Sequence, residues 1–162
     1  MRAGVLTVSD GVHAGVREDS SGDTLDELLR REGFEVVRDV VPDEAAAIAD
    51  AISSLSDDGA LLVLTTGGTG FAPRDVTPEA TRTVLEREAP GIAEAIRAGA
   101  LARFPRAALS RGLAGVRGRT LVVNLPGSPG GVRDGLAVLD GIVEHAVALV
   151  RGADTTHSHP EG

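Results

Sequence analysis

An α/β domain with a largely parallel, doubly covered sheet is the fold class this sequence predicts, and three observations predict it. Short apolar runs alternate with stretches whose apolar residues recur every three or four positions. Apolar strands alternating with amphipathic helices imply crossover connections and a sheet buried on both faces. Polar signals follow the strand-like runs, at Ser9-Asp10, Asp43, Thr65–Gly70 and Asn124–Ser128. In such sheets the ligand site lies beyond the carboxyl ends of the strands, so these loops converge on one edge.

The elements follow in order. Arg2–Val8 reads as the first strand, stopped by Ser9-Asp10, and Asp10–Ser21 as a polar loop. Leu25, Leu28 and Leu29 fall at helical spacing between Asp23 and about Glu32, with Gly33 as the stop. Phe34–Val41 is a second strand ended by Pro42. Ala45–Leu55 is a helix with Ile48, Ile52 and Leu55 on one face, and Ala60–Leu64 is a third strand. Pro78 to about Glu88 is predicted helical, with Thr77 as N-cap and proline in the first turn. Pro90–Arg103 is a further helix, whereas Phe104–Gly118 has no clear periodicity. Thr120–Asn124 is a strand, and Gly131–Val150 a last helix carrying Val132, Leu136, Leu139, Val143, Ala146 and Val150. Residues 1–150 are expected to form one domain and 151–162 a disordered polar tail. His157 and His159 in that tail have no third ligand nearby and make a weak metal clip.

Composition excludes several functions. At 162 residues the chain is long enough for a sizeable core, and its 42% hydrophobic content is that of a globular protein. No apolar run approaches the ~18–20 residues that span a membrane, and no secretory leader precedes the first strand, so a cytoplasmic location is expected. A net charge of −8, with three Phe and no Trp or Tyr, argues against nucleic-acid binding. The absence of cysteine excludes disulfides and thiolate chemistry. All 16 basic residues are arginine. Without lysine there is no Walker-type phosphate loop and no covalent lysyl-nucleotide intermediate.

The segment Leu61–Thr81, LLVLTTGGTGFAPRDVTPEAT, carries the chemistry. An apolar run ends in Thr65 and Thr66 and then in Gly67, Gly68, Thr69 and Gly70. Glycines admit anionic oxygens close to backbone N–H groups. Asp75, five residues on, is placed to hold a divalent cation against bound phosphates. A tight strand-to-helix turn is the plain alternative, but hydroxyls, amides and a carboxylate together are what a metal–phosphate site needs. Asp43 is either the N-cap of the following helix or a second acid for the cation. Asp10 is either an Asx turn or a ligand contact. Ser128 either caps a helix begun by Pro129 or belongs to an anion-binding loop. Arg74 and Arg111 are candidate phosphate partners or solvated side chains.

The segments GVLTVSDGVHAG, DSSGDTL, VVPDE, TTGGTGFAPRDVTPEAT, ALSRGLAGVRG and LVVNLPGSPGGV occur in this order. Together they resemble the molybdenum-cofactor biosynthesis family of molybdopterin adenylyltransferases and the matching domain of gephyrin-like proteins, over about residues 3–150. The resemblance implies a three-layer α/β/α molybdopterin-binding domain, assembled as a homotrimer, that joins molybdopterin to ATP with Mg²⁺ and releases pyrophosphate. Its product would pass to a molybdate-insertion protein. The family acids match Asp43 and Asp75, as catalytic and metal-binding residues, and the nucleotide loop matches Gly67, Gly68, Thr69 and Gly70. Ser9, Asp10, Ser110 and Ser128 lie in segments that resemble pterin or phosphate contacts. The competing expectations are a molybdopterin-binding protein of the same family without catalysis, and a module of related fold acting on another nucleotide. The latter is expected to bring a further domain.

Overall fold

Strand β1 (Arg2–Val8) lies at the centre of the parallel half of the sheet because both of its faces are apolar. Ala3 and Val5 point to one layer of helices, Leu6 and Val8 to the other, and all four are buried. It pairs in parallel with β2 (Glu35–Val41) and β3 (Leu62–Thr66), and β3 pairs in parallel with β6 (Thr120–Leu125). Beyond β6 lie β5 (Ala114–Arg117) and the two-residue β4 (Arg87–Glu88), both joined antiparallel. The six strands stand in the order β2-β1-β3-β6-β5-β4. The computed structural model describes residues 1–152; the tail expected at the C-terminus, with His157 and His159, lies outside them from residue 153 onward.

Helices cover both faces. On one side α2 (Ser20–Arg31), α5 (Pro90–Leu101), α6 (Pro129–Leu139) and α7 (Val143–Val150) pack on the sheet through residues such as Leu25, Leu29, Ile96, Val132, Leu139 and Ala146. On the other, α3 (Ala45–Asp57) and α4 (Thr77–Val84) contribute Ile48, Ile52, Leu55 and Ala80. The result is the three-layer α/β/α architecture, with a mostly parallel sheet, that the alternating pattern predicts. Among the described residues no helix is long and apolar enough to cross a membrane.

The structure corrects several expected boundaries. Asp10–Ser21 is not all loop: α1 (Asp10–His13) starts at once, and α2 begins at Ser20 because Asp19 Oδ1 accepts the Gly22 N–H at 3.0 Å. Thr77 does not cap α4 from outside. It is the first helical residue, after Val76, and its hydroxyl donates to Gly67 O at 2.9 Å. That helix ends at Val84 rather than near Glu88, where β4 begins. Asp43 is not the N-cap of α3; Glu44 holds that position without a side-chain cap. The expected single C-terminal helix is two, interrupted between Leu139 and Val143, and the unassigned Phe104–Gly118 stretch contains a 3-10 turn at Pro105–Leu109 and β5.

Candidate active site

The ends of β1, β2, β3 and β6 deliver four loops to one edge of the sheet. The glycine loop after β3 is shaped by close approach. Gly67 has φ +100°, and a Cβ there would stand 2.3 Å from Val8 O. Gly68 has φ +67°, and a Cβ there would stand 2.3 Å from Thr77 Oγ1. L-residues adopt neither conformation without strain. The chain then turns into α4, with Thr77 N donating to Gly68 O at 3.1 Å.

Asp43 and Asp75 both face this loop. Asp43 Oδ1 lies 3.2 Å from where a Cβ on Gly68 would stand, and Asp75 Oδ2 lies 2.9 Å from one on Gly70. Asp75 Oδ2 also accepts the Ala72 N–H at 3.0 Å, which fixes its rotamer. Arg111 fastens the loop from outside. Its backbone N–H donates to Thr69 O, Nε donates to Gly70 O, and Nη2 donates to Asp75 O, each at 2.9 Å, while Nη1 pairs with Glu79. This arginine is thus structural, with every guanidinium nitrogen engaged. Its guanidinium holds the Glu79 carboxyl below the usual range.

Asp10 and Asp43 bind each other reciprocally. Asp10 N donates to Asp43 Oδ2 at 2.9 Å, and Asp43 N donates to Asp10 Oδ1 at 3.0 Å. Arg74 adds a two-pronged contact to Asp10, Nε to Oδ2 at 2.5 Å and Nη2 to Oδ1 at 3.0 Å. The two acids respond in opposite directions. Hydrogen bonding from Arg74 lowers the Asp10 carboxyl, with the Asp43 N–H adding to the effect. Burial, reinforced by the charges of Asp10 and Asp75, raises the Asp43 carboxyl. The guanidinium of Arg74 is raised in turn by Asp10.

A cavity of about 410 Å³ opens on the other side of the loop. Thr69 and Gly70 form one wall, α5 contributes Ile96 and Arg97, and the entrance of α6 contributes Ser128. Ser110 also lines it, so the structure brings Ser110 and Ser128 together. Ser128 Oγ caps α6 by accepting Gly131 N–H at 3.1 Å. Ser9 and Asp10 stand apart from this cavity, on the Asp43 side, where Ser9 Oγ caps α1 through Val12 N–H at 3.2 Å. A larger cavity of about 620 Å³ lies at the opposite edge of the sheet, among Met1, Phe34, Leu62 and Val143, far from these carboxylates.

Two sequence readings change here. Thr65 and Thr66 were grouped with the hydroxyls that face a phosphate, but both belong to β3 and are fully buried. Thr66 donates to Pro126 O at 2.7 Å, and Thr65 accepts from Asn124 Nδ2 at 2.9 Å. Asn124, read as the polar end of a strand leading into a ligand-facing loop, is likewise internal. Sequence reasoning missed Arg97, Phe104 and Arg106 as cavity residues. Arg97 Nη1 donates to Gly112 O at 3.0 Å, and the Arg106 guanidinium lies 5.1 Å from the Phe104 ring centroid. Their signal was a polar break on the α5 face and an aromatic in a chain that has three.

The donor set can be tested against a cation. Among the described residues no group of three or more His, Cys, Asp or Glu side chains is arranged to hold a metal by itself. Mg²⁺ commonly takes only one or two carboxylates and completes its shell with water and phosphate. Asp43 and Asp75, close enough for their charges to interact, fit a cation that arrives with a polyphosphate.

Fold and site together define a three-layer α/β/α domain with a glycine loop and two carboxylates at the carboxyl ends of its parallel strands. Residues 4–145 match the family described as "Probable molybdopterin binding domain". The chain belongs to this molybdenum-cofactor biosynthesis family. It is 41% identical over 167 residues to the molybdenum cofactor synthesis protein cinnamon of Drosophila melanogaster, covering 98% of this chain but 28% of that protein. It is 39% identical over 153 residues to a molybdopterin adenylyltransferase of Helicobacter pylori strain J99, covering 92% of this chain and 87% of the relative. The crystal structure of the molybdopterin biosynthesis enzyme MoaB from Thermus thermophilus superposes with a TM-score of 0.87 at 50% identity, over 93% of this chain and 96% of that one.

Proposed function

We propose that this protein is a molybdopterin adenylyltransferase, acting in the cytoplasm as a homotrimer of single-domain subunits spanning residues 1–150. The observation that carries the reading is the convergence of Asp43 and Asp75 on the Gly67–Gly70 loop. Relatives named for this activity support it at about 40% identity over most of the chain.

The reaction follows from the chemistry of the residues present. The terminal phosphate oxygen of molybdopterin attacks the α-phosphorus of ATP, a new P–O–P bond forms, and the bond to the β-phosphate oxygen breaks to release pyrophosphate. A phosphate monoester is largely dianionic at neutral pH, so no general base is required. No covalent enzyme intermediate is required either, which suits a chain without lysine or cysteine. Loop amides from Gly67 to Gly70, including Thr69, hold triphosphate oxygens. Asp43 and Asp75 would hold Mg²⁺, which supplies charge neutralisation on the triphosphate. Ser110 and Ser128 present hydroxyls to the pterin phosphate in the adjoining cavity, and Ser9 and Asp10 shape the nucleotide side. Catalysis then rests on alignment and on charge stabilisation rather than on proton transfer. The adenylylated product would be handed to a molybdate-insertion protein.

The test is direct: purified protein is mixed with molybdopterin, ATP and Mg²⁺, and pyrophosphate is followed against adenylyl-molybdopterin. Equimolar formation of both is expected. Tight retention of molybdopterin with no pyrophosphate would make the protein a carrier instead.

A further inference from the structure

Two arginines approach the acidic side of the site, and they are bound very differently. Arg111 is committed through its backbone and all three guanidinium nitrogens to Thr69, Gly70, Asp75 and Glu79. Among the described residues Arg74 hydrogen-bonds to Asp10 alone, and its side chain remains 59% exposed. Asp10 in turn is locked to Asp43 by the reciprocal backbone bonds. The guanidinium of Arg74 therefore sits on the acid that is bonded to Asp43, the residue that would reach a cation.

We propose that Arg74 is a displaceable counter-cation, which neutralises the Asp10–Asp43 pair and is released onto the triphosphate when a divalent cation enters. The inference rests on the functional reading above. Asp43 is bonded to Asp10 on one side and faces the same glycine loop as Asp75 on the other, and neighbouring like charges favour a positive partner. Arg74, paired with Asp10, fills that need. A divalent ion held by Asp43 and Asp75 supplies the same charge and makes the arginine redundant there. An exposed ion pair contributes little free energy of its own, so exchange is easy. Arg74 follows the glycine loop by four residues in the chain, and a planar guanidinium fork matches phosphate oxygens.

The exchange predicts effects of opposite sign from one substitution. Mn²⁺ is used as the probe, with free ion measured by electron paramagnetic resonance, first alone and then with the non-reactive α,β-methylene analogue of ATP. Arg74→Ala is expected to bind Mn²⁺ alone about threefold to tenfold more tightly, because a competing cation is gone. The same variant is expected to bind the Mn²⁺–nucleotide analogue about tenfold more weakly, because a phosphate partner is gone. Arg74→Lys should restore Mn²⁺ competition while recovering only part of the nucleotide affinity. Mn²⁺ affinity unchanged or weakened in Arg74→Ala, with wild type binding both probes, overturns the exchange and leaves the enzyme reading standing. Wild type binding neither probe overturns both.

Discussion

Asn124 donates from its side-chain amide to Thr81 Oγ1 at 2.9 Å, tying central strand β6 to helix α4 beneath the glycine loop. The same nitrogen reaches Thr65 Oγ1 at 2.9 Å, and Oδ1 accepts Leu113 N–H at 3.0 Å. Every polar atom of this buried carboxamide is used, and each of its partners is buried or half-buried. Asn124→Ala leaves several of them unpaired at once. We expect a loss of about 2–4 kcal/mol, seen as a fall in Tm of roughly 5–12 °C. A calorimetric scan that finds less than about 2 °C would show that water takes over those bonds.

Asp43 carries a stability cost for its position. Its carboxyl is raised by burial and by the neighbouring acids, so the folded state holds its proton to higher pH than the unfolded chain does. The penalty is therefore fully present above the folded-state value and vanishes as pH falls below the ordinary carboxylate range. Asp43→Asn keeps an acceptor for Asp10 N–H and removes the charge. Its Tm should exceed wild type at pH 7, and the gap should close on acidification. Asp10 and Glu79, both lowered by arginine partners, act in the other direction. Their contribution is present above the ordinary value and is lost as pH drops through their depressed folded-state values. Thermal scans from pH 7 to pH 3 on Asp43→Asn and Asp10→Asn separate the two signs.

Gly67→Ala should be costly because its clash is with backbone. A methyl group at that φ would meet Val8 O, which is fixed in the β1 end. A loss of about 2 kcal/mol or more is expected. Gly91→Ala is the control: it lies in the first turn of α5 with nothing within 4 Å of the added methyl. A gain of about 0.5–1 kcal/mol is expected. Urea titration of both variants ranks them, and equal midpoints would contradict the loop geometry.

Arg111→Lys retains the charge but loses the fork that spans Gly70 O, Asp75 O and Glu79. The loop should hold its shape less well, and nucleotide affinity should fall by about tenfold. Calorimetric titration with ATP and Mg²⁺ reads this directly. Wild-type affinity would mean that the Thr77 contacts alone set the loop.

Asp75→Asn separates binding from turnover. Ala72 N–H keeps its acceptor, so the loop should persist. Pyrophosphate release should fall by about a hundredfold or more, while molybdopterin retention stays near wild type. Rapid pyrophosphate release from this variant would remove Asp75 from the proposed mechanism.

Much of the fold was legible because β1, β3 and β6 are largely apolar runs of five to seven residues whose neighbours break sharply, while β2 shows valine pairs on either side of Arg38-Asp39. The antiparallel border was not. β4 has two residues and β5 four, too few for any period, and they exist because β6 offers them an edge. The break between α6 and α7 was hidden because Leu139 and Val143 keep the helical spacing across it. In the site, Asp75 and the glycines were readable from local spacing. The Asp10–Asp43 exchange was not, since it joins residues 33 apart through backbone atoms that carry no sequence signal. Asn124 illustrates the same limit: a polar residue at a strand end reads as exposed until the threonines that satisfy it are found.

Strand β2 is seven residues long and, among the described residues, has no neighbour on its outer side, so its free amides invite pairing with a stray chain. The protein answers with charge. Glu35, Arg38 and Asp39 stand along that border, Asp39 Oδ1 already takes Val40 N–H at 2.8 Å, and Arg38 is moored to Asp19 and Asp23. Swapping Arg38 and Asp39 for threonine would leave the pocket untouched and turn a guarded margin into an aggregation seam.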